Sequence, residues 1–215
     1  SIPVISEFVK KFKKHKQIQQ MYPQIYSILL SYISTNYNNV DHPGIISIIY
    51  KYLRNTDSDE YYNLTMQYLV NVDSIKVRRQ CLKQIILRHD DWSSSKGQEI
   101  CVAMIELTPS LSYTLQILCA RILLLYGSPD LLINEVPLNL IIQFVRDPMI
   151  GELCLRFILN ILCNATLTQE QQALFCQLIS NENDQLFSDL INDGTIEQVE
   201  LASTILEKIG SFCNE

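Results

Sequence analysis

Apolar residues recur along this chain at three- and four-residue intervals for most of its length. Ile25, Ile28, Leu29, Tyr32 and Ile33 form one stripe, Ile45, Ile48, Ile49, Tyr52 and Leu53 a second, and Ile100, Ala103, Met104 and Leu107 a third. Positions spaced i, i+3, i+4 and i+7 share one side of a helix, so each stripe predicts an amphipathic helix with its apolar side inward. Polar or Pro- and Gly-containing joints punctuate the stripes: 36–44, 55–59, 71–73, 89–97, 108–110, 127–129, 146–148, 164–168 and 192–194. The joint at 89–97 reads as a longer loop carrying the single tryptophan, Trp92. Several joints place Asp, Ser or Thr where a side-chain oxygen can cap free N–H groups of the next helix. The chain therefore divides into about ten to twelve helices joined by loops of ordinary length.

The helices repeat. Asp73, Ser110 and Asp147 each precede an apolar helix and lie 37 residues apart, twice. At that offset Cys81, Leu118 and Leu155 coincide, as do Ile85, Ile122 and Leu159. This predicts buried positions eight and twelve residues after each capping residue. A fourth helix, 195–212, aligns at an offset of 47, with Ala202, Leu206 and Ile209 standing for Leu155, Leu159 and Leu162. The ten extra residues fall in 168–193, which predicts two helices there instead of one. A helical hairpin cannot bury its apolar side alone, and stacking like units makes one continuous core.

The run Asp73-Ser-Ile-Lys-Val-Arg-Arg-Gln-Cys81 resembles the second helix of a HEAT repeat, with Asp73, Val77, Arg78 and Cys81 at its marked places. The runs 153–162 and 200–209 look like the third helix of an armadillo repeat. The resemblance covers roughly residues 58–213 and implies an all-α, right-handed α-solenoid of about five HEAT/ARM-like repeats. On this reading residues 1–215 form a single helical-repeat domain, with 1–57 as N-terminal capping helices. Architecture of this kind says little about the ligand.

Composition narrows the class. Hydrophobic residues make up 47% of the 215 and charged residues 19%, enough to bury a sizeable core. Six glycines and seven prolines are few for an all-β chain of this length. The net charge is −6, with Lys10, Lys11, Lys13, Lys14 and Lys16 gathered at one end against Glu7. The acidic remainder argues against a nucleic-acid partner, which requires a basic surface. The lysine run, with Phe8, Val9 and Phe12 beside it, fits a capping helix with a solvated lysine side; one such signal does not make a stable membrane attachment. The most apolar run, 115–126, is too short to span a membrane and holds Arg121. Seven cysteines with no CxxC pair, most inside apolar runs, suit buried thiols in a reducing compartment, cytoplasm or nucleus. The sequons at Asn63 and Asn164 are then chance matches. The chain opens on Ser1, which suits a piece of a larger multidomain protein or complex.

Chemistry is sparse. His15, His42 and His89 lie in polar contexts without metal-ligand spacing, and phosphate-cradle and nucleophile-elbow motifs are missing. His89-Asp90-Asp91 reads as a solvated helix end. No catalytic residue, cofactor or metal is expected, and the function class indicated is a non-catalytic scaffold binding a protein or peptide. Nine of the eleven tyrosines precede residue 70. Of the adjacent pair Tyr61 and Tyr62 only one can face the core, so the pair is a candidate contact. Import receptors of the armadillo type grip peptides with Trp and Asn four apart on successive third helices. The matching places here are Arg156 and Asn160, Thr204 and Lys208, and Cys119 and Leu123, so the Asn occurs once and the Trp never. Arg156, Asn160, Thr204 and Lys208 share one projected side and are the candidate contacts. The alternatives are formin-like regulatory armadillo domains that bind small GTPases, tubulin-binding domains of the TOG type, whose short loops present Trp and basic residues where this chain has the single Trp92 in a long loop and an acidic body, and a purely structural spacer.

Overall fold

The computed structural model describes residues 59–164 and 166–213, together with the isolated helical positions Gln20, Met21, Gln24, Ile28 and Ser31. Ile28 is 62% exposed, so it is not a core member of the first predicted stripe. The rest of that stripe, the second stripe, the lysine run and the capping helices expected over 1–57 lie outside the described residues.

The described residues form ten α-helices and no strand, an all-α arrangement. In order they are α1 (Asp59–Asn71), α2 (Ile75–Leu87), α3 (His89–Leu107), α4 (Tyr113–Tyr126), α5 (Pro129–Leu132), α6 (Glu135–Ile142), α7 (Gly151–Asn164), α8 (Gln169–Phe175), α9 (Asp184–Asp193) and α10 (Ile196–Cys213). A 3₁₀ turn at Thr108–Ser110 follows α3, and a π-helical stretch, Cys176–Glu182, continues α8. The contacts of the chain divide it into two compact units, 1–91 and 92–215, with the division inside α3.

In the first unit α1 packs on α2. Tyr62, Tyr68 and Leu69 of α1 and Val77, Cys81, Leu82 and Ile85 of α2 are buried. Arg78 ties the joint: its Nε donates to the Leu69 carbonyl at 3.3 Å and its guanidinium pairs with Asp73 at 3.2 Å. Asp73 does not cap α2. The N-cap is Ser74, and it makes no side-chain cap bond.

The predicted loop 89–97 is helical and belongs to α3. Three consecutive serines and a glycine argued for a loop, but Trp92 is 3% exposed, and burying so large a ring outweighs weak helix propensity. Gly97 lets the helix come close to Tyr126: a Cβ there would sit 3.3 Å from the Tyr126 ring.

Within the second unit α7 packs most extensively on α10, and α10 also meets α8, α9 and the π stretch; α4 also meets α7. The N-terminal ends of α4, α7 and α10 lie side by side. The Tyr113 hydroxyl donates to Asp147 Oδ2 at 2.9 Å, and Gln198 Nε2 donates to the Val145 carbonyl at 3.3 Å. Gln198 also completes a reciprocal cap. Its N–H donates to Thr195 Oγ1 at 3.2 Å while its Oε1 accepts from the Thr195 N–H at 3.0 Å. Thr168 and Gln171 make the same box at the start of α8.

The repeat register differs from the predicted one. Leu118 and Leu159 are only partly buried. The buried sets are Val77, Cys81, Leu82 and Ile85; Leu115, Cys119, Ala120 and Leu123; and Ile150, Cys154, Leu155 and Ile158. They coincide at offsets of 38 and then 35. The reason is that the three aligned residues are not equivalent. Asp73 precedes an N-cap, Ser110 sits in a 3₁₀ turn two residues before the N-cap Ser112, and Asp147 anchors a turn ahead of α7. The offset of 47 holds: Ala202, Ile205 and Ile209 are buried like Leu155, Ile158 and Leu162, and Leu206 and Leu159 are both half-buried. The two helical segments expected over 168–193 are α8 with its π continuation, and α9.

Candidate functional site

The turn before α7 organises the edge where α4, α7 and α10 meet. Asp147 is 6% exposed, and its carboxylate is fully engaged. Oδ1 accepts the N–H groups of Met149 at 2.8 Å and Ile150 at 3.2 Å, and Oδ2 accepts the Tyr113 hydroxyl. A buried carboxylate is tolerated here because three donors replace its water. The bond to Asp147, followed by burial and the carboxylate's charge, raises the Tyr113 pKa above the ordinary tyrosine value. Gly151 completes the turn. A Cβ at this buried position would collide with the Val145 carbonyl, so only glycine lets α7 start so close to the preceding backbone.

From this turn α7 carries two different sides. Cys154, Leu155, Ile158, Ile161 and Leu162 face the core, whereas Leu153, Arg156, Asn160 and Cys163 are exposed, in line with Met149. The predicted contacts Arg156 and Asn160 therefore belong to one outward stripe of α7, and Thr204 and Lys208 are exposed on α10. Arg156 is already bound twice, by Glu152 at 3.1 Å and by Glu197 of α10. Two carboxylates thus share one guanidinium, and the cluster keeps a surplus negative charge. Thr204 Oγ1 donates to the Glu200 carbonyl at 2.8 Å, which turns its hydroxyl back on its own helix. Tyr62 is a core residue at 5% exposure and is not offered to a partner; the side chain of Tyr61 lies outside the described residues. Trp92, expected on a loop, is likewise interior.

Sequence reasoning missed the apolar members of this edge. Tyr113, Met149, Leu153 and Ile196 are 59%, 75%, 48% and 82% exposed. Their only sequence signal is position, each lying at or just after a helix-opening joint. A recess of about 530 Å³ elsewhere in the second unit is lined by Gln169, Gln172, Gln177, Asn181 and Phe212, with Cys176 between them. Its lining is mostly uncharged amides.

The cysteines divide. Cys81, Cys101, Cys119 and Cys154 are free and buried, and Cys163 is free and exposed. Burial pushes the Cys101 and Cys154 thiols up to about 12 and that of Cys119 to about 11. Thiols so poorly ionised are packing groups rather than nucleophiles. Cys176 is disulfide-bonded. His89 lies at the start of α3, with Nδ1 3.3 Å from Asp90 Oδ1. Among the described residues no three His, Cys, Asp or Glu side chains come together in a metal-holding group, and no helix is long and apolar enough to cross a membrane.

Comparison with protein-family models, with curated proteins and with solved structures finds no match to this chain.

Proposed function

We propose that this protein is a non-catalytic interaction scaffold, an α-solenoid of HEAT/armadillo-like repeats that holds a protein or peptide partner on its surface. The observation that carries the reading is the recurrence of one burial pattern in α2, α4 and α7, of which α10 repeats the last two positions in Ala202 and Ile205. In the second unit it is joined to the alignment of three helix N-termini along one edge. Stacked repeats leave a side of each helix free of packing duties, and such a side is where repeat proteins take ligands. Arg156, Asn160, Thr204 and Lys208 lie on outward sides of neighbouring helices and mark the contact area. Arg156, held by Glu152 and Glu197, acts there as part of an acidic cluster rather than as an anion receptor.

The test is capture from cell extract with the full chain as bait, beside a chain in which those four residues are alanine. Circular dichroism checks that the variant is folded, since removing an exposed ion pair costs only about 0–1 kcal/mol. A partner bound by the wild type and lost with the variant supports the reading. Failure of the folded wild type to retain any specific partner overturns it.

A further inference from the structure

We propose that the exposed apolar strip along the edge of α4, α7 and α10 is the docking surface for a basic amphipathic helix of a partner protein. The proposal rests on the scaffold reading and names its surface and ligand class. Polar links tie the neighbourhoods of its members together. The Tyr113 hydroxyl sits on Asp147, whose other oxygen holds the Met149 N–H. Leu153 lies one turn beyond Met149 on the same side of α7. Arg156, the next residue of that stripe, reaches Glu197, the neighbour of Ile196. Tyr, Met and aliphatic side chains so exposed at one edge are the kind of anchors that a helix-in-groove ligand covers.

Charge decides the partner's character. Residues 92–215 hold five Lys and Arg against fifteen Asp and Glu, a net −10. The cations beside the strip are committed: Arg146 to Asp189 at 2.8 Å, and Arg156 to both Glu152 and Glu197. Glu200, one turn along α10 from Ile196, is exposed and adds to the surplus. An acidic ligand would meet only repulsion, whereas a lysine-rich one is steered in and pairs at the rim. Helices packed side by side lie about 8–10 Å apart, so three of them offer a ridge of roughly 20 Å. At 1.5 Å per residue, that length accommodates about 13 residues of helix.

The experiment uses the full chain and a fluorescent 16-residue probe of leucine and lysine, with leucines at i, i+3, i+4 and i+7. A scrambled probe of the same composition is the control. Anisotropy is expected to show saturable binding with a Kd of roughly 1–100 µM. Met149→Ser with Leu153→Ser should weaken it at least about tenfold, added salt should weaken it further, and the scrambled probe should bind far less. Leu87→Ser, which removes an equally exposed aliphatic from the other unit, should leave it unchanged. Equal binding by the scrambled probe, insensitivity to the double substitution, or no saturation by about 500 µM overturns the proposal. The extract capture separates this failure from that of the scaffold reading. A partner that the double variant still retains removes the surface and leaves the scaffold standing. Recovery of no partner removes both.

Discussion

Replacing Asp147 with alanine withdraws three hydrogen bonds from the turn that starts α7, and the structure sets the cost. Met149 is exposed, so its N–H regains water; Ile150 is 2% exposed, so its N–H does not. Loss of the cap-like bonds costs about 0.5–2 kcal/mol. Leaving the Ile150 N–H buried and unpaired adds about 1–3 kcal/mol. The Tyr113 hydroxyl, on an exposed ring, contributes least. Together, Asp147→Ala should destabilise the chain by about 1.5–5 kcal/mol, read from urea titrations followed at 222 nm. Tyr113→Phe should cost only about 0.5–1.5 kcal/mol. The hydroxyl donates to Asp147 only while protonated, and that bond raises its pKa in the folded protein above the ordinary 10.0. Its stabilising contribution is therefore complete below about pH 10 and is lost as pH rises through the raised folded-state value. The stability gap between wild type and Tyr113→Phe should hold at pH 7–9 and close in strong alkali. A loss below about 1 kcal/mol for Asp147→Ala would refute the assignment of Asp147 as the organising residue.

Two glycines in helices should respond with opposite signs. Gly151→Ala drives a methyl into the Val145 carbonyl and should cost about 1–3 kcal/mol, whereas Gly210→Ala enters open space on α10 and should gain about 0.5–1 kcal/mol; thermal melts read both, and equal signs would contradict the packing described. Thiol labelling with an aromatic disulfide at pH 8 should modify Cys163 promptly among the five free cysteines, and the other four only after denaturation. Prompt native labelling of Cys101, Cys119 or Cys154 would show that their burial is wrong.

Helix content was legible in the sequence because a 3.6-residue apolar period requires no knowledge of the partner surface. The joints at 71–73, 108–110, 127–129, 164–168 and 192–194 were legible for a similar reason: Pro, Gly and capping residues act within a few bonds of themselves. Local chemistry misled where packing overruled it. Ser93 to Gly97 looked like a loop until burial of Trp92 and the close approach to Tyr126 made it a helix. The 37-residue spacing aligned capping residues that do different work, whereas burial matches the core positions of α2, α4 and α7 at 38 and 35 residues.

The candidate site divides in the same way. Arg156, Asn160, Thr204 and Lys208 could be placed on outward sides because helical phase is a local property. That Arg156 is shared by Glu152 and Glu197, that Tyr113 and Asp147 bond across 34 residues, and that four exposed apolar side chains lie near the starts of three neighbouring helices depend on which helices become neighbours. Sequence alone determined that the described residues are all-α, because backbone hydrogen bonds and apolar periodicity close over short spans. Tertiary structure decided which positions of each helix are buried and the composition of the edge, because those follow from long-range packing, in which a shift of one residue turns a different side chain to the core.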